Sequence, residues 1–172
     1  MRYLHSSYPW FFGSVYNKRY VFISYLKGIE LMETKTKKVK MEWLRSRMFV
    51  GTDHMGTSIA IGYDRESDPE SKAVNPSDML LLAAASCSAY DVVQILEKGK
   101  QPLEALKVDV QAEQSQESPY PYVSLHFNYI VKGDVDPEKL QRAMQLSEDK
   151  YCSVLATLKP GLTFTSEYTL ES

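Results

Sequence analysis

Two side chains in this chain can act as thiol nucleophiles, Cys87 and Cys152, sixty-five residues apart and with no third cysteine. A thiolate attacks peroxide oxygens and disulfide sulfurs, and two thiols that meet in space can close to a disulfide. Free cysteine is also among the most buried residue types, so two inert core thiols are the simpler reading of the bare pair. Their settings differ. Cys87 falls within MLLLAAASCSA (79–89), apolar or small on every face, where a core thiol with a raised pKa is expected. Cys152 follows Lys150 and Tyr151 and starts a short helical run, where exposed amide groups and a nearby lysine favour thiolate.

The other polar candidates are sparse. Asp91 lies one turn beyond Cys87 and suits a salt bridge at a subunit interface or a polar seam. Tyr151 can pack a thiol pocket or simply fill core. His5, His54 and His126 are scattered and make no metal-ligand pattern with a cysteine, so no metal is expected. No phosphate-binding glycine loop and no Ser/His/Asp signature is present. The net charge of −2 offers no basic field for phosphates, so nucleic acid is not an expected partner. Two separated cysteines without an export signal fit reduced thiols in a cytoplasmic protein, with no membrane involved.

The elements that must position these groups are legible from patterning. Val39, Met41 and Trp43 alternate with polar neighbours, Met48 to Gly51 is a second short run, and TSIAIGY (57–63) a third after the turn signal Asp53–Gly56. This predicts a three-stranded antiparallel meander. The polar stretch 64–74 predicts a mobile loop. Asn75-Pro76-Ser77-Asp78 predicts a capped helix start, with the helix running to about Lys98 and Gly99 as its stop. Its first half predicts burial all round, and so small a domain then implies that a partner subunit covers part of it. Strands follow around Leu106–Val110 and at 120–131, ended by Gly133. Asp136-Pro137-Glu138 starts a helix reaching about Lys150, with Leu140, Ala143, Met144 and Ser147 on one face. A short helix at 153–158 and a last strand at 162–170 complete the order βββ-α-ββ-α-α-β, an α+β domain.

Residues 1–31 stand apart. They are crowded with aromatics and show neither helical nor strand period; Lys18 and Arg19 interrupt any spanning run, and the apolar run 20–26 is short for a signal peptide. Lys27-Gly28 can be encoded AAA-GGA, the sense of a bacterial ribosome-binding site, three codons before Met32. The expectation is that Met32 is the natural start, that 1–31 is a non-native or disordered extension, and that 32–172 is one domain.

The segments NPSDMLLLAAASCSAYDVV (75–93) and LSEDKYCSV (146–154) resemble the two cysteine segments of the OsmC/Ohr family of osmotically inducible and organic hydroperoxide resistance proteins, and TFTSEY (163–168) resembles its last strand. Two motifs in the right order and at the right separation make the resemblance specific, and it covers Val39 to the C-terminus. It implies antiparallel sheets around a central buried cysteine helix and an intertwined homodimer whose subunits build both active sites. It further implies a peroxidase for organic hydroperoxides that needs no metal or organic cofactor. By position Cys87 matches the peroxidatic thiol and Cys152 the resolving thiol. An external dithiol, lipoyl-type or thioredoxin-like, then reduces their disulfide.

The family also uses an arginine steadied by a carboxylate near the start of the cysteine helix. Here the usual glutamate position holds Ser77, and the acid is Asp78, one residue along, on a shorter arm and about 100° further round the helix. The same displacement occurs in a divergent branch of the family. Arg65 best matches the OsmC-type arginine; Arg45 and Arg47 match the Ohr-type placement loosely. The expected site is therefore Cys87, Cys152, Arg65 and Asp78. The alternative, from another class, is a non-catalytic ligand-binding or redox-sensing stress protein on the same fold.

Overall fold

A computed structural model describes residues 34–62 and 73–171. The expectations for residues 1–31, for most of the 64–74 loop and for Arg65 lie outside the described residues. Lys37–Ser172 form one unit.

Three strands, β1 (Lys40–Arg45), β2 (Met48–Thr52) and β3 (Ser58–Gly62), pair in order as the expected antiparallel meander. Asp53 makes the β2–β3 turn, its Oδ1 accepting the amides of Met55 and Thr57 at 2.8 Å each. Val74 bonds the last residues of β3 through Gly62 N–H→Val74 O at 2.9 Å and Val74 N–H→Ala60 O at 3.1 Å. The outward apolar side chains of this sheet, Met41, Trp43 and Ile59 among them, are left exposed by the single chain.

Helix α1 (Pro76–Lys98) follows the sequence expectation at both ends. Asn75 Oδ1 accepts the Ser77 amide at 2.9 Å and the Ser77 hydroxyl at 2.7 Å, and Pro76 occupies the first turn. Burial corrects one expectation. Ala84, Ala85, Ser88, Val92 and Leu96 form a buried stripe, while Leu82 and Tyr90 are 58% and 65% exposed. Within one chain α1 is one-sided, because only one sheet is there to receive it. Among the described residues it is the one helix long and apolar enough to cross a membrane, yet it carries Asp78 and Asp91 and packs on β4, α2 and α3.

The second sheet runs β4 (Leu103–Gln114), β5 (Tyr122–Gly133) and β6 (Thr163–Glu171). β4 and β5 pair antiparallel, but β6 pairs parallel to β5, so this sheet is mixed where antiparallel sheets are expected. A parallel neighbour cannot be reached by a hairpin; the chain must cross over the sheet face first. That crossover is α2 (Pro137–Leu146), a π turn at Ser147–Tyr151 and α3 (Ser153–Leu158). Leu140, Ala143, Met144 and Ser147 are all buried, as the helical spacing predicts. On β5, Leu125, Phe127, Tyr129 and Val131 alternate into the core, each contributing on the order of 1.5–3 kcal/mol of burial. Phe127 meets Tyr129 and Phe164 edge-to-face. Gly133 ends β5 at φ +123°, where a Cβ would lie 2.1 Å from the Pro102 carbonyl oxygen.

Candidate functional site

The crossover brings the two cysteines together. The Sγ atoms of Cys87 and Cys152 and a carboxylate oxygen of Asp91 all lie within 4.8 Å of one another. Cys87 and Asp91 share a face of α1 at i, i+4 spacing, and both are half-buried. Cys152 arrives from below. The π turn closes with Cys152 N–H→Ser147 O at 2.9 Å, an i→i+5 bond that adds one residue to the turn. Cys152 is then turned inward, at 2% exposure, while Tyr151 is half exposed rather than filling core.

The expected thiolate at Cys152 is not what this setting favours. Its sulfur does cap α3, accepting the Leu155 amide at 3.4 Å. Burial outweighs that bond, and the neighbouring Cys87 adds to it, so the thiol is pushed up to about 11. Lys150 does not offset this, its ammonium lying 5.4 Å over the Tyr151 ring. In the reduced protein Cys152 is a neutral thiol waiting beside a more accessible partner.

A buried line of hydroxyls ends at Asp91. Ser147 Oγ donates to Asp91 Oδ2 at 3.0 Å, Ser88 Oγ and Ser147 Oγ are 2.9 Å apart, and Ser88 Oγ and the Tyr129 hydroxyl 2.6 Å. A carboxylate only accepts, so Ser147 spends its proton there and must accept from Ser88; Ser88 in turn must accept from Tyr129. All three protons point toward Asp91. Burial, above all, pushes Tyr129 up to about 12, which keeps it a donor. Sequence reasoning left Asp91 as an interface or seam residue and gave Ser88 and Ser147 no role at the site. The readable signal is the C-S-x-x-D spacing on one helix (Cys87, Ser88, Asp91); no local signal links it to Ser147, fifty-six residues away.

The remaining sequence candidates do not join this cluster within one chain. Asp78 is exposed and nine residues from Cys87, about 13 Å along the axis and on the opposite helix face. Ser77, in the usual glutamate position, is engaged in the Asn75 cap. Arg45 and Arg47 are exposed at the β1–β2 turn. His126 pairs with Thr165 and Glu167 on the outer face of the sheet, at 2.8 and 3.3 Å.

A cavity of about 300 Å³ opens beside the cluster, lined by Asp91, Gln94, Ile95, Lys98, Leu146 and Tyr151. A larger apolar groove of about 480 Å³, between the start of α1 and the β4–β5 turn, is, like the first cavity, lined by neither cysteine. Two thiols at this separation can form a disulfide after modest side-chain rotation, and the cavity opens next to them at Asp91.

Comparison with known proteins places this geometry among relatives. A family model described as OsmC-like protein matches residues 69–167. Protein YhfA of Escherichia coli K12 is 33% identical over 132 residues, spanning 76% of this chain and 96% of that one. A hypothetical protein from Aquifex aeolicus VF5 superposes with a TM-score of 0.68 at 30% identity, over 81% of this chain and all of that one. The organic hydroperoxide resistance protein OhrB of Bacillus subtilis shares the fold, with a TM-score of 0.54 at 15% identity over 78% of this chain and 98% of that one.

Proposed function

The chain belongs to the OsmC-like protein family, and on that basis we propose that it is a thiol peroxidase that reduces organic hydroperoxides to alcohols. The observation that carries this reading is the meeting of Cys87 and Cys152, from two separate elements, beside Asp91. Cys87, the more accessible sulfur, attacks the outer peroxide oxygen as a thiolate. The O–O bond breaks, the alkoxide leaves and takes a proton, and Cys87 becomes a sulfenic acid. Cys152 then attacks that sulfur, water leaves, and a disulfide forms. One hydroperoxide and two thiols thus give one alcohol, one water and one disulfide, which an external dithiol of lipoyl or thioredoxin type returns to two thiols. The apolar contribution of Ile95, Leu146 and Tyr151 to the cavity favours alkyl peroxides over hydrogen peroxide.

Keeping Cys152 neutral suits its role. A neutral thiol does not compete for peroxide, and it becomes useful only once Cys87 is oxidised. Cys87, conversely, needs a cation beside it to hold the attacking thiolate. Arg65 is our leading choice for that cation, with Asp78 steadying it. Asp78 cannot reach Cys87 of its own chain, so the carboxylate must come from a second copy. The same homodimer would cover the exposed apolar residues of β1–β3 and the open face of α1. The reading places the protein in the cytoplasm, where dithiol reductants are available.

The test is consumption of cumene hydroperoxide under a dithiol reductant. Wild type should turn over, Cys87→Ser should be inactive, and Cys152→Ser should stop after one equivalent. Equal rates for wild type and Cys87→Ser would overturn the reading.

A further inference from the structure

The cluster beside the cavity has the composition of a metal site as well as of a redox pair. Two sulfurs and a carboxylate oxygen, within 4.8 Å of one another, come from α1 and from the residue that caps α3. A tetrahedral zinc ion with bonds of about 2.3 Å to sulfur and about 2.0 Å to oxygen sets its ligands about 3.5–3.8 Å apart. Closing from the observed separation asks for side-chain rotation, not movement of either helix. The Ser147 hydroxyl reaches Asp91, and the Leu155 amide reaches the Cys152 sulfur.

The surroundings are those that hold ligands in place. Ser147 fixes one oxygen of Asp91 at 3.0 Å, leaving the other for an ion, and Ser147 is itself tied through Ser88 to buried Tyr129. Metal-ligating carboxylates are characteristically steadied by such outer hydrogen bonds. The Leu155 amide does the same for the Cys152 sulfur. Cys87 and Asp91 remain half-buried beside the cavity, which gives an ion an entry path and leaves a fourth position for water.

We propose that the reduced protein binds one thiophilic divalent cation of the zinc class per chain through Cys87, Cys152 and Asp91. Both sulfurs would bind the ion as thiolates, so affinity rises with pH. The regulatory consequence rests on the peroxidase reading: the ion competes with peroxide for Cys87 and slows its oxidation, and disulfide formation removes two of its three ligands. Oxidation of the loaded site by one hydroperoxide consumes two protons and yields disulfide, alcohol, water and the free ion. The site is then a metal-gated thiol pair.

Zinc chloride competition against a chromogenic chelator, on the chelator-stripped and reduced full chain, tests the site without recourse to activity. One zinc per chain is expected, and none for the disulfide form. Asp91→Asn keeps the acceptor for Ser147 but removes the charge, and should weaken binding by about tenfold or more. Cobalt substitution should give the near-ultraviolet band of thiolate-to-metal charge transfer, lost in Cys87→Ser and in Cys152→Ser. Equal zinc binding by wild type and the double cysteine variant, or none by reduced wild type at micromolar zinc, overturns the proposal. Chelated protein that consumes peroxide but never binds zinc sinks this inference alone. Zinc binding without peroxide turnover leaves the metal site standing and removes the peroxidase.

Discussion

Ser88→Ala tests the directed hydroxyl chain most sharply, because the chain makes the cost depend on what else is changed. Ser88 is fully buried and sits between the Tyr129 hydroxyl at 2.6 Å and Ser147 Oγ at 2.9 Å. Removing its hydroxyl leaves the buried Tyr129 donor without its acceptor, at a cost of about 1–3 kcal/mol. Ser147 suffers less, since it still donates to Asp91. Tyr129→Phe alone removes only a donor to Ser88, which keeps Ser147, so its cost should be about 1 kcal/mol. The double variant has no orphaned tyrosine hydroxyl. Adding Tyr129→Phe to Ser88→Ala should therefore be neutral or stabilising, giving a coupling of about 1–2 kcal/mol in the cycle. Urea unfolding at one fixed protein concentration measures all four proteins, since an oligomer's stability depends on concentration. If Tyr129→Phe costs as much in the Ser88→Ala background as in wild type, the two hydroxyls do not satisfy each other and the line of hydroxyls is broken at that link.

Alkaline pH should act through the same buried groups. The Cys152 thiol is held near 11, above its ordinary value of 9.0, so its contribution is intact below about pH 9 and is lost as pH rises toward 11. Tyr129 adds to the loss above pH 10, and Cys152→Ala should flatten the pH 9–11 limb of the unfolding curve. Gly133→Ala should destabilise by about 2 kcal/mol or more, read as a fall in Tm, because the new Cβ meets the Pro102 carbonyl at a positive φ.

Much of this architecture can be read locally. Asn75, Pro76 and Asp78 define where α1 starts by chemistry confined to one turn, and the spacing of Leu140, Ala143, Met144 and Ser147 defines the inner face of the crossover. The parallel pairing of β6 cannot be read that way, since TFTSEY alternates identically in either direction. Burial of Cys152 is likewise tertiary. Helix position and Lys150 argue for thiolate, while the core that α1 and β5 supply argues more strongly against it. The open face of α1 follows the same logic: an all-apolar helix says what must be covered, not which chain covers it. Of the expected site, the two cysteines meet and Asp78 faces away from them within its own chain. Asp91 enters the cluster because the i, i+4 neighbour of Cys87 is also what Ser147 can reach.

The parallel pairing of β5 with β6 has a consequence for the chain as it is synthesised. Thr165 joins His126 across thirty-nine residues of sequence, and β6 runs almost to the C-terminus. The segment that seats Cys152 against α1 thus acquires its final strand only once β6 has been made. Until then Cys87 sits on a helix while the second thiol has no fixed place. A nascent or truncated chain lacking β6 would carry both thiols without the scaffold that spaces them. Formation of a Cys87–Cys152 disulfide would then report that β6 has taken its place in the sheet.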